Sequence, residues 1–130
     1  MAAAKFPQTP KSGGATSASA HTLLNGTTNL VLLLTAGSAG AVVTRVDAKP
    51  LATIAACPAY LYRSTDAGST VSLLRAKTVA AGTVSTSLAP VEQDFGYSES
   101  APLRMQASER LYVGHATTVN LGWSADATDF

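Results

Sequence analysis

PLRMQASERLYVGHATTVNLGWSADATDF, residues Pro102 to Phe130, is the stretch whose reading decides the fold class. Leu111, Val113 and His115 alternate with polar or small neighbours, and so do Val119, Leu121, Trp123 and Ala125. Successive strand side chains point to opposite faces, so each run predicts a strand with one buried face. The spacing predicts strands at Pro102 to Met105, Arg110 to Ala116 and Val119 to Ala125, with a polar turn at Gln106 to Glu109. The last two read as the closing hairpin of an antiparallel β-sandwich.

The same signals recur upstream. Thr28 to Thr35 has a Leu-rich centre suited to an inner strand buried on both faces. Ala41 to Ala48 alternates, with Val42, Thr44, Val46 and Ala48 as the inward set. Thr53 to Arg63 places Ile54, Ala56, Tyr60 and Tyr62 on one side. Pro58 lacks an amide hydrogen, which implies a sheet edge or a bulge. Asp66 and Gly68 mark a hairpin turn into Thr70 to Val79. Thr83 to Leu88 reads as a weak strand and Ala89 to Glu99 as an irregular connection between sheets. His21 to Leu24 completes the count with a short strand before a turn at Asn25 and Gly26. About eight strands at this spacing, and no useful helical periodicity, indicate an all-β, jelly-roll-like sandwich spanning residues 21–130.

Residues 1–20 differ in composition. MAAAKFPQTP and KSGGATSASA offer almost nothing to bury except Phe6, so they read as a flexible extended arm that gains order by docking, on a partner in the favoured reading or back on its own domain in the alternative. Gly13 and Gly14 read as linker flexibility, with no flanking strand and helix to make a phosphate cradle. Lys5, Phe6, Pro7 and Pro10 are the arm's candidate contacts.

The chain of 130 residues is 46% hydrophobic, enough for one domain with a core. Only 13% of residues are charged, about half the usual share, which suits a surface that packs against neighbours. With a net charge of +1 and its Lys and Arg scattered, the chain lacks the clustered cations that nucleic acid requires. One cysteine, Cys57, permits no intrachain disulfide and reads as a small buried residue. Pro7 and Pro10 interrupt any export signal, so folding in a reducing cytoplasm is the expectation. The greasiest run, Leu30 to Leu34, is far shorter than the roughly 20 residues of a membrane helix.

Catalysis finds few candidates. His115 reads as a hydrogen-bonded core residue, and His21 lies where the arm leaves the domain, too mobile to hold a catalytic group. The pairs Glu92 with Asp94 and Asp126 with Asp129 read as solvated turn carboxylates rather than calcium ligands. No cofactor or metal is expected, and the chain reads as non-enzymatic. Tyr60, Tyr62 and Tyr112 are candidates for an exposed subunit contact or a sugar-stacking surface, whereas Trp123 belongs to the core.

LLLTAGSAGAVVTRVDAKP (Leu32 to Pro50), AYLYRSTDAGSTVSLL (Ala59 to Leu74), PLRMQASERLYVG (Pro102 to Gly114) and the terminal GWSADATDF stand in one order along the chain. Together they resemble small virion proteins of tailed bacteriophages of the head decoration, or cement, type. The resemblance leaves out the arm, and Ser108 departs from it where such proteins often carry Gly. It implies a jelly-roll-like sandwich, a virion location on the capsid surface, the major capsid protein as partner, and a homotrimer. The alternatives are a carbohydrate- or receptor-binding module of a fibre and a structural protein of the tail or baseplate.

Overall fold

The computed structural model describes residues 9–21, 26–89 and 91–130. Among them nine strands form: β1 (Thr9–Ser17), β2 (Val31–Thr35), β3 (Ala41–Pro50), β4 (Cys57–Ser64), β5 (Ser72–Val79), β6 (Gln93–Asp94), β7 (Leu103–Met105), β8 (Arg110–His115) and β9 (Leu121–Asp129). They build two antiparallel sheets, β1-β9-β3-β6 and β2-β8-β4-β5, with β7 added beside β6 along β3. With β7 set aside, this is the strand order of a jelly roll, in which successive strands other than β4 and β5 swap sheets and two Greek keys close the sandwich.

The core fills from alternating positions. β9 turns Leu121, Trp123, Ala125 and Ala127 inward, and β8 turns Leu111, Val113 and His115 inward, as the period-two pattern predicts. The two strands nevertheless belong to opposite sheets, so the expected closing hairpin is a crossover. Alternation specifies a buried face but not the sheet to which a strand belongs. β4 and β5 do form a hairpin, turned by Ala67 and Gly68 at φ 60° and 93° and closed by Asp66 Oδ1 accepting from the Thr70 amide.

Two strands depart from simple alternation. In β3 the ladder to β9 shifts between Val43 and Arg45, and the inward set changes from Ala41 and Val43 to Val46 and Ala48. The extra residue, Thr44, is a β-bulge that resets the phase. The inward set predicted from unbroken alternation therefore holds only for Val46 and Ala48. In β4 the core face is Cys57, Ala59 and Leu61, not Ala56 and the tyrosines, while Ile54, ahead of the strand, does enter the core. Pro58 sits near the start of β4, which is an inner strand, and the bulge falls later, between Leu61 and Tyr62.

Residues 83–88 form no strand, and two residues of the predicted irregular connection, Gln93 and Asp94, pair with β3. The predicted strand His21 to Leu24, the turn at Asn25 and Pro90 lie wholly or partly outside the described residues.

The largest difference from the sequence reading concerns the arm. Thr9–Ser17 is an edge strand that pairs along its whole length with β9, so the sheets begin at residue 9 rather than 21. Its inward positions are Lys11, Gly13, Ala15 and Ser17, a period-two pattern written in residues that hydropathy does not register. Gly13 is required by proximity and not by flexibility. A Cβ built there would lie 2.4 Å from the Leu33 carbonyl oxygen, where the edges of the two sheets approach.

Candidate functional site

Of the buried polar side chains, Ser17, His21 and His115 lie together. β1 ends at Ser17 and β8 ends at His115, and these ends meet between the sheets. Ser17 Oγ lies 2.7 Å from His115 Nδ1, and Trp123 Nε1 donates to the same hydroxyl at 2.9 Å. His115 Nε2 faces the Val119 carbonyl. A carbonyl only accepts, so Nε2 carries the ring proton and Nδ1 accepts from Ser17. The proton order is Trp123 to Ser17 to His115 to Val119, with each partner satisfied by a neutral imidazole. Burial pushes the His115 pKa below its ordinary value, with the Val119 hydrogen bond acting the other way.

A serine beside a histidine has the composition of a nucleophile and its base, but both side chains are fully buried. The pair is a structural relay closed to substrate. Ser17 is not legible in the sequence because its segment, by composition, reads as an arm.

His21 is also fully buried rather than mobile. Its backbone amide donates to the His115 carbonyl oxygen at 2.8 Å. Its Nδ1 lies 2.7 Å from the Thr28 carbonyl oxygen, and its Nε2 lies 2.8 Å from the Tyr62 hydroxyl. By the same logic Nδ1 donates and Nε2 accepts from the phenol. Burial, then Tyr60, holds the Tyr62 pKa above its ordinary value, which keeps that donor protonated. The His21 ring meets Tyr60 and Tyr62 edge-on at centroid distances of 5.7 and 5.4 Å.

Tyr60 and Tyr62 are therefore buried, at 6% and 5% exposure, although they leave the core side of β4 to Ala59 and Leu61. The expectation of exposed tyrosines fails for these two because His21 covers them. Tyr112 is half-buried, opposite Tyr62 and Leu32 in the ladders, with the tip of the β4–β5 hairpin at Gly68 against its hydroxyl.

Of the arm's candidate contacts, Pro10 is exposed on β1 opposite Thr128, while Lys5, Phe6 and Pro7 lie outside the described residues. The acidic candidates are engaged by cations or amides. Glu92 pairs with Lys49 at 3.0 Å, Asp126 with Arg45 at 2.8 Å and Asp129 with Lys11 at 2.9 Å, and Asp94 accepts from the Gly96 amide. Glu109, expected at a solvated turn, is 1% exposed and lies 2.7 Å from Arg63 Nε. Cys57 is buried in the core, as its apolar setting predicts.

No protein-family model, curated protein or solved structure matches the chain.

Proposed function

We propose that the protein is a non-enzymatic structural component of a tailed-phage particle, of the head decoration type, that binds the assembled major capsid protein and stabilises the shell. The observation that carries this reading is where the resembling segments fall. Leu32 to Pro50 covers most of β2 and all of β3, Ala59 to Leu74 holds the β4–β5 turn, Pro102 to Gly114 contains β7 and most of β8, and the terminal segment covers most of β9. They are the strands of a jelly roll, an architecture used by viral capsid and lectin domains.

Many copies bound to a lattice act together, and each stabilises the state it binds. Because residues 9–17 form β1, the proposed clamp contacts are exposed Pro10 on that strand together with Lys5, Phe6 and Pro7, which lie outside the described residues. The bodies are proposed to group as a homotrimer about an axis of the shell.

Virions of the phage or induced prophage that encodes the chain provide the test. Heads and tails are separated and the chain is quantified in each. The reading requires many copies on DNA-filled heads, in multiples of three per binding site, and a lower melting temperature for heads stripped of the chain. Recovery in tails alone, or absence from the virion, overturns it.

A further inference from the structure

We propose that the Ser17–His115–Trp123 relay is an acid-opened latch that holds the end of β1 to the sandwich. Ser17 is the last residue of β1 and pairs with Leu121, the first residue of β9. One hydroxyl thus joins the edge strand to β8 through His115 and to β9 through Trp123. The following segment is pinned beside it by the His21 amide on the His115 carbonyl oxygen.

Uptake of one proton from water at His115 Nδ1 reverses the polarity of this arrangement. Nδ1 becomes a donor, so Ser17 Oγ must accept from both the imidazolium and the Trp123 indole. Its own hydrogen then loses its acceptor, and a charge has been placed in a fully buried position.

The surroundings supply no compensating anion. β1 brings Ser17, the segment after it His21, β4 Ala59 and Cys57, and β9 Leu121 and Trp123, while residues 116–120 are uncharged. On β3, Asp47 and Lys49 flank the buried Ala48 opposite Trp123, and both are engaged elsewhere, Asp47 with Arg45 and Ser124 and Lys49 with Glu92. Among the described residues no carboxylate hydrogen-bonds to His115. Among the described residues, His21, Cys57, Tyr60 and Tyr62 are thus the other titratable groups on this side.

The cheapest relief is separation of the Ser17 end of β1 from β8 and β9. The far end of the strand is held by a different device, Lys11 with Asp129 and with the Thr35 carbonyl oxygen. Opening therefore starts at Ser17 and runs toward Thr9.

The test is residue-resolved amide exchange and histidine ring NMR on the full chain from pH 8 to 4.5, with exchange rates corrected for intrinsic pH dependence. At pH 8 His115 is expected as the neutral Nε2–H tautomer. As pH falls below the ordinary histidine value of about 6.5 toward the lowered value of the closed latch, protection of the Ala15 to Ser17 amides is expected to fall about tenfold per pH unit, the signature of one proton taken up on opening. Amides of β4 and β8 keep their protection. His115→Gln, which cannot take up the proton, removes the pH dependence. If that variant does not fold, the wild-type ring titration and exchange still decide. A charged His115 ring at pH 8, pH-independent protection of β1, or simultaneous loss of protection in every strand overturns the latch.

Discussion

Arg63 Nε on β4 lies 2.7 Å from Oε1 of Glu109, a carboxylate that is 1% exposed at the turn between β7 and β8. The other carboxylate oxygen accepts from the Gln106 amide at 2.9 Å, and the Glu109 backbone carbonyl accepts from Ala36. One acidic residue thereby joins β4, the end of β2 and a turn that crosses between the sheets. Removing it leaves the guanidinium and the Gln106 amide without their partner. Glu109→Ala is expected to cost about 2–3 kcal/mol in urea unfolding, below the full loss for a wholly buried pair because Arg63 reaches water. Glu109→Gln, which keeps an acceptor for Gln106, is expected to cost roughly half as much.

Ser108, just before it, sits at φ 58°. A side chain in this left-handed region costs about 1 kcal/mol, which glycine avoids while adding freedom to the unfolded chain. Ser108→Gly is therefore expected to raise stability by about 0.5 kcal/mol, and Ser108→Val to lower it by more than 1 kcal/mol. Thermal unfolding of the two variants beside the wild type measures both.

Gly13 and Gly14 make a matched pair for testing whether β1 is seated in solution. A Cβ at Gly13 meets a backbone oxygen at 2.4 Å, whereas at Gly14 the nearest atom lies at 3.8 Å. Gly13→Ala is expected to cost about 2 kcal/mol through strain and displacement of the strand, and Gly14→Ala less than about 0.5 kcal/mol. Equal stabilities for the two would mean that residues 9–17 do not occupy the edge of the sheet.

The far clasp of β1 titrates in a lower range than the histidine. Burial works to raise the Asp129 pKa, but the hydrogen bond from Lys11, that from the Gly37 amide and the Lys11 charge together bring it below its ordinary value. The native state thus favours the ionised form, so this contribution is present above the unfolded value near 4 and is lost as pH falls through the lowered one. Asp129→Asn is expected to cost about 1 kcal/mol at pH 7. The gap between wild type and variant closes below about pH 4, which a series of urea titrations across pH would read.

What the sequence discloses here depends on how a residue announces its burial. Leu121, Trp123 and Ala125 alternate with polar partners, and Asp66 to Gly68 carries the chemistry of a turn, so their roles are readable one residue at a time. β1 is opaque because Lys11, Gly13, Ala15 and Ser17 face inward without hydrophobicity, held by a backbone ladder to a strand at the far end of the chain. The Thr44 bulge reverses a face with no local sign of doing so. Tyr60 and Tyr62 look exposed until His21 is placed over them, and Glu109 looks solvated until Arg63 is placed beside it. The relay is hidden for the same reason, since Ser17 comes from one end of the chain and His115 and Trp123 from the other.

The distance between those parts has a consequence for biosynthesis. Ser17 and Trp123 are 106 residues apart, and β9 is the strand that joins β1 to β3. On the ribosome the first strand emerges long before its partner exists, and only β4 and β5 meet their neighbour at once. Until β9 is translated, β1 has no ladder and one edge of β3 is open, which is the exposure that invites premature pairing between nascent chains. Closure must therefore be a late, long-range event, slow for a chain of this size. Keeping neighbouring ribosomes sparse should therefore raise the yield of the folded protein.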